Sequence, residues 1–453
     1  MTASPSGIAP SPLANPAFRT LFAAQVCSLL AVGLLTVALS LAAYQIGGDA
    51  AAGKVLGLLL ALKMVAYVAL APLAEPLFAG RSRKTVMMVL DAGRMLLLLP
   101  MAFATETWQI AVLAFVFFVL ASGFTPLFQS VIPDVLPEEE SYTRALAWSR
   151  VAYTLESVLS PVIAAALLRL VTPDSLFYCA ALAFAGSVVM LLLTRFPLET
   201  GASRKGPFLT RALRGMRIYS HTPRLRGLFL LNFSLSLSLA WVLVNTVVYA
   251  GQRLGDAEGL YPILMAGYGL GAAAGAVIVP RLLTLANDRA VMLWGALGFA
   301  GLGAAFSLMP TPTLSVVLII WAGFGLVSSL VLTPGGLVIT RSAARENRTA
   351  LFAAQFSLSH AGWLLAYPLA GWLGSLTTLE HALLMQALIS ALLALLGARV
   401  WPADDRLDRA HTHPELPENH PHLRETPSSG QAHLHRHAYL IDELHPHWAP
   451  THD

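Results

Sequence analysis

Long apolar runs, each closed by a short polar or basic connection, follow one another along most of the chain. A run of 18 or more such residues is long enough to cross a hydrocarbon core about 30 Å thick. The pattern predicts about twelve spanning helices, near 21–45, 55–78, 85–103, 109–133, 150–171, 175–194, 227–250, 260–284, 289–309, 313–339, 349–374 and 380–400. The short alternating segments of a transmembrane barrel are not visible. Within the eighth run, GYGLGAAAGA repeats glycine at 267, 271 and 275, a spacing that brings two helices close together.

Composition leads to the same class. Of 453 residues, 56% are hydrophobic and 12% charged, against roughly 25% charged in a soluble domain. Cys27 and Cys179 both fall inside apolar runs, which excludes a disulfide framework or a cysteine metal knuckle. The first twenty residues are polar with no basic residue before Arg19, unlike a cleavable signal, so the first run is expected to remain as an anchor. Basic residues gather in alternate connections, among them Arg81, Arg83 and Lys84, then Arg341, Arg345 and Arg348. The positive-inside rule then places both termini in the cytoplasm. The most basic connection, near 195–226, divides the spans into two sixes. Their starts echo each other: FRTLFAAQVCSLL (18–30) and LRGLFLLNFSLSL (225–237) share an arginine, a Leu-Phe pair and an amide in register. The predicted fold is an all-α polytopic membrane protein of two six-helix pseudo-repeats. Its parts are an N-terminal half (1–197), a basic cytoplasmic linker (198–226), a C-terminal half (227–401) and a disordered tail (402–453).

Ionisable groups at bilayer depth are costly and mark bundle interiors or watery cavities. Asp91 and Arg94 lie three apart on one helix and read as a structural pair, with a role in coupling as the alternative. Lys63 can snorkel, pair with a carboxylate or take part in transport. Glu156 reads as a proton carrier or a packing partner for an arginine. His360 shares a helix face with Ser357, Trp363 or Leu364, and Tyr367; it reads as a metal ligand, a proton carrier or an interhelical hydrogen bonder. Gln25, Gln129, Asn232 and Asn245 line a polar cavity or act as glue between helices. No nucleophile–base set, rigid metal triad or ATP-binding motif is present, which points away from an enzyme and toward a gradient-driven process.

The tail changes the picture again. It holds His411, His413, His420, His422, His433, His435, His437, His445, His447 and His452, while the preceding 401 residues hold three histidines. Most come as H-x-H pairs, and neutral imidazole is a borderline ligand for Zn, Ni, Co and Cu ions. Nine carboxylates against four arginines from residue 404 onward make the segment anionic in a chain of net charge +4. Prolines at 402, 414, 417, 421, 427, 446 and 450 argue against a folded finger, so the expectation is a multi-site chelator that collects ions near the cavity mouth. Ligation needs neutral imidazole, so binding weakens below about pH 6.5.

Over roughly 16–400 the chain resembles the major facilitator superfamily, and its first half resembles a branch of bacterial exporters opening N-x-x-F-R-x-L (Asn15, Phe18, Arg19, Leu21). The family's G-x-L-A-D-R-x-G-R-R/K loop corresponds to EPLFAGRSRK (75–84). Arg83 and Lys84 keep its basic end, but Ala79 replaces its aspartate, so that gating charge pair cannot form in the same way. Ser160-Pro161 stands where antiporters of the family often carry Gly-Pro. The His-rich tail and QFSLSHAGWLLAYPLAGW (355–372) resemble the nickel-resistance (NreB-type) efflux proteins. The resemblance implies a proton-coupled secondary exporter of a divalent transition metal, Ni or Co first and possibly Zn or Fe, in a bacterial inner membrane. The expected partners are lipid, protons and metal ions, with no cofactor and no nucleic acid; the sequence does not give the oligomeric state, for which a monomer is the expectation. The alternatives are export of an organic solute, such as a drug-like compound or a siderophore, and a non-transporting metal sensor.

Overall fold

The computed structural model describes residues 11–78, 81–136, 138–195, 208–342, 348–405, 408–412, 434–441, 444–445 and 448. After a short 3-10 turn (Pro12–Ala14), the first half comprises α1 (Pro16–Phe78), α2 (Arg83–Met101), α3 (Thr107–Val135), α4 (Glu139–Leu167) and α5 (Ser175–Leu193). The connection between halves holds α6 (Phe208–His221). The second half comprises α7 (Pro223–Leu254), α8 (Ala257–Leu285), α9 (Asp288–Ser307), α10 (Leu314–Arg341), α11 (Arg348–Leu376) and α12 (Leu379–Val400).

α1 is two spans in one. It folds back at Gly48, whose φ of 55° and ψ of −165° are essentially reserved for glycine. Counting its arms separately gives two groups of six long helices. Among the described residues, nine are apolar and long enough to cross a membrane. The other three are α2, α4 and α11. α2 carries Arg83, Lys84, Asp91 and Arg94; some side chains of α4 and α11 lie outside the described residues. α4 starts at Glu139, earlier than its apolar run, because acidic residues stabilise a helix N-terminus even where hydropathy is low. α6 lies in what the sequence predicts only as a linker.

In the first half α1 packs on α3, α4 and α5; in the second, α8 packs on α10, and α12 on α7 and α9. The glycine repeat of α8 serves that contact: a Cβ at Gly275 would lie 2.6 Å from the Leu326 carbonyl oxygen of α10. An aromatic knot of Trp241, Tyr249, Phe306 and Trp321 anchors the second half, with Trp321 Nε1 donating to Thr246 Oγ1 at 2.9 Å.

The halves meet through α1 with α7 and α11, and α4 with α8. Side-chain contacts between α1 and the second half begin at its Gly48 end. Tyr261 donates to Ser40 at 2.8 Å, and the Tyr44 ring lies against Gly251. Gly53 and Gly57 in turn receive the backbone of α11 at Gly371 and Tyr367. Further along, the seam brings Tyr67 of α1 against His360 of α11.

The tail differs from the sequence expectation where it is described. Asp408–Thr412 (β1) and Leu434–Ala438 (β2) pair as an antiparallel ribbon, with His411 opposite His435 and Arg409 opposite His437. The physical reason lies in the spacing of the prolines. None falls between Pro427 and Pro446, and LHRHAYLI (434–441) keeps its backbone donors free for a ladder. Tyr439 (6% exposed) and Ile441 (3%) then join the apolar core that contains Leu225 and Trp401.

Candidate functional site

A polar cluster sits on the seam between the halves, where α1, α4 and α11 bring ionisable side chains inside apolar helices. The second arm of α1 brings Lys63 and, one turn on, Tyr67. The Lys63 ammonium lies 5.8 Å from the Tyr67 ring centre and 5.9 Å from that of Phe118 on α3. α4 brings Glu156, which is within electrostatic reach of Lys63. Its carboxylate and the Ser160 side chain fill the space opposite Gly33, where a Cβ would lie 2.6 Å from Glu156 Oε1. From the other half α11 presents His360, its ring 5.7 Å from Tyr67 and also within reach of the Lys63 charge.

His360 is oriented by its own helix. Nδ1 lies 2.7 Å from the Phe356 carbonyl oxygen, and the two rings are 3.9 Å apart. A carbonyl only accepts, so Nδ1 carries the proton, and in the neutral ring Nε2 keeps its lone pair. A histidine held through one ring nitrogen in this way is oriented to ligate or to exchange a proton through the other. The geometry therefore joins one cation, one carboxylate, one imidazole and a phenol, drawn from both halves.

Asp91 and Arg94 form the expected structural pair beside this cluster. They bond to each other within α2; Ser187 donates to Asp91 at 2.5 Å and Arg94 reaches Ser28 at 3.3 Å. The Phe124 and Phe184 rings lie 4.6 Å from the guanidinium carbon, and Tyr67 is within its electrostatic reach.

The remaining predicted cavity residues scatter. Gln25 is 2% exposed and accepts from Ser149 at 3.1 Å, joining α1 to α4. Asn232 donates to Leu228 of its own helix at 2.8 Å. Asn245 donates to the Ala370 carbonyl at 3.0 Å, with its other amide atom against Gly53 and Gly374 at the closed end of the seam. Tyr367 is buried and stacks on Trp363 at 5.0 Å. The side chain of Gln129 and the loop residue Ala79 lie outside the described residues.

Arg83 and Lys84 hold the basic-side ends of the first half together. Arg83 pairs with Asp134 on α3, and Lys84 donates to the Leu192 and Thr194 carbonyls at 2.8 Å, closing the end of α5. The second half repeats the arrangement with the pair's polarity exchanged. Asp288 pairs with Arg341 on α10 at 2.6 Å, and Arg289 donates to the Ala398 and Trp401 carbonyls at 2.7 and 2.8 Å. Between Asp288, Arg341, Arg224, Trp401 and Asp405 lies a cavity of about 210 Å³.

The tail histidines expected to ligate metal divide by placement. His413, His420, His422, His433 and His447 lie outside the described residues. His411 and His435 are placed by strand register. His437 and His445 are described in full, their rings 5.3 Å apart. Where the ribbon forms, ladder pairing replaces the expected disorder, and these four positions are fixed relative to one another or to the helical core.

Such pairing of two six-helix halves is a family trait. The sequence profile of the Major Facilitator Superfamily matches residues 21–261 and again 228–440. The chain belongs to the major facilitator superfamily. It is 26% identical over 257 residues to the uncharacterized MFS-type transporter YfiS of Bacillus subtilis, a match spanning 54% of this chain and 58% of that protein. Among solved structures, a point mutant of the nucleoside transporter NupG superposes with a TM-score of 0.72 at 13% identity, covering 84% of this chain and all of that one. A bacterial homolog of the human lysosomal transporter Spinster, inward-facing and unoccupied, gives 0.69 at 14% identity, covering 87% and 98%. A POT family transporter bound to a thioalcohol-conjugated peptide gives 0.66 at 12%, covering 84% and 94%. The chain is thus a multi-pass secondary membrane transporter of the major facilitator type.

Three of the clustered residues stand out in the sequence: Lys63, Glu156 and His360. Tyr67, Phe118 and Gly33 do not. Tyr67 has a signal, since it falls one helical turn after Lys63.

Proposed function

We propose that this transporter exports a divalent transition metal across a bacterial inner membrane in exchange for protons, with both termini cytoplasmic. The observation that carries the reading is His360, pinned through Nδ1 and placed beside Lys63 and near enough to feel its charge, with Glu156 close to that same lysine. In the empty site the Lys63 ammonium balances the Glu156 carboxylate. A cation taken up by His360 and Glu156 repels that ammonium, and two unit charges 4 Å apart interact by about 4 kcal/mol at an effective dielectric of 20. Loading therefore favours loss of the Lys63 proton, and reprotonation on the far side favours release of the ion. That ordering is antiport.

One observation favours a second reading, an anionic organic solute or a metal already chelated. Among the described residues no three His, Cys, Asp or Glu side chains are gathered for a metal, and a lysine held among aromatic rings suits a carboxylate. The nucleoside and peptide transporters above share only the fold.

Flux assays in proteoliposomes holding the full chain separate the two. With a pH gradient imposed, radiolabelled Ni, Co or Zn ions should exchange for protons. His360→Ala should abolish that exchange, and Lys63→Met should uncouple it from the gradient. Absence of metal flux from the full chain would remove the metal reading. Lys63-dependent flux of an anionic chelate would then establish the second.

A further inference from the structure

The described part of the tail is docked. Tyr439 and Ile441 are buried in the helical core, and the Trp448 ring lies 5.2 Å from the Arg224 guanidinium. Arg224 is in turn 3.4 Å from Asp405, which accepts from Trp401 Nε1 at 2.9 Å. Against this platform His445 is 2% exposed, its ring 4.6 Å from Tyr439 and 5.3 Å from His437. Two imidazoles bound to one tetrahedral ion at about 2.0–2.1 Å set their ring centres roughly 5 Å apart. The His437–His445 spacing matches that requirement before any ion is present.

The ribbon register adds further histidine positions on and opposite the strand that carries His437. Positions two apart along a strand share a face, as do direct cross-strand partners. Register pairs His411 with His435, two positions before His437. The H-x-H repeat of the tail is thus a strand-period repeat, and pairing converts sequence spacing into one neighbourhood of imidazole-bearing positions.

We propose that His437 and His445 are the seed of a divalent transition-metal site on the docked tail, completed from the His411–His435 register pair. The site deepens the metal reading given above but stands on different atoms. Bound there, an ion would cross-link β2 to the segment after it and hold the tail against the start of α7. The remaining tail histidines would be weaker sites.

Equilibrium dialysis of purified full-length protein against Zn²⁺ or Ni²⁺ alone tests this. The double variant His437→Ala/His445→Ala should lose its tightest tail-bound ion or bind it at least about tenfold more weakly, the scale on which even outer partners of metal ligands act. His420→Ala/His422→Ala, a pair elsewhere in the tail, should leave that tightest ion in place. His411→Ala and His435→Ala should each weaken it. Equal losses from both double variants would overturn the proposal in favour of an unstructured chelator, as would an unchanged tightest site in the first. Tight binding without transmembrane metal flux would retain this site and remove the transport reading instead.

Discussion

At the residue scale, the buried charges divide by role according to what satisfies them. Arg94 is held by Asp91, Ser28 and two aromatic faces, so its charge is spent on structure. Arg94→Ala would leave the Asp91 carboxylate buried without its partner and should cost about 3–5 kcal/mol, read by unfolding in detergent. Glu156 depends instead on an absence: the missing side chain at Gly33 makes its space. Gly33→Val should displace Glu156 and abolish coupled transport, while the helix content measured by circular dichroism stays near that of the parent. Lys63, Glu156 and His360 are legible in the sequence because an ionisable group in an apolar run is conspicuous. Gly33, Tyr67 and Phe118 are not, because small and aromatic residues are ordinary in such runs and only the crossing of helices gives them a place. Gln25 and Asn245 read as interhelical glue or as cavity residues, and each hydrogen-bonds to a neighbouring helix.

Elements are legible where one physical force dominates. The apolar runs locate the spans, since crossing a bilayer leaves few other options. They mislead at α4, whose first turns are polar, and they pass over α6, whose Leu209, Leu213, Arg214, Arg217 and Ile218 carry a helical alternation inside a basic connection. α6 packs on α11, the helix of His360, and Tyr219 donates to Gln355 across that contact. Burial raises the Tyr219 phenol above its usual range, so the folded state keeps this proton more tightly than the unfolded chain. The stabilisation is therefore complete below about pH 10, where a free phenol titrates, and declines above it. Tyr219→Phe should weaken the α6–α11 contact by about 1 kcal/mol and remove that alkaline decline, as hydrogen exchange of α6 would record. The tail is the hardest element to read. Prolines counted over its whole length argue for disorder, whereas the proline-free interval is what permits a ribbon.

Over the whole molecule, the two-half architecture is visible in the repeated opening of α1 and α7 and in the basic linker. The exchanged polarity of Arg83–Asp134 and Asp288–Arg341 is not, because it emerges only when two distant ends meet. The seam along Gly53, Gly57 and Gly371 closes the end opposite the basic connections. Gly57→Leu should wedge that end open, and cysteines introduced near Asn245 should then react with a membrane-impermeant thiol reagent that leaves the parent unlabelled. Gly48 has a wider effect. Replacing it with alanine should cost of order 1–3 kcal/mol, seen as a lower thermal midpoint. A one-residue reversal leaves no slack between the arms of α1, yet the first arm holds α7 and α8 through Tyr44 and Ser40 while the second holds α11. Neither arm can let go while the other stays. The seam must therefore open as a single cooperative event, and a half-open gate, through which a proton gradient would leak, is denied a stable geometry.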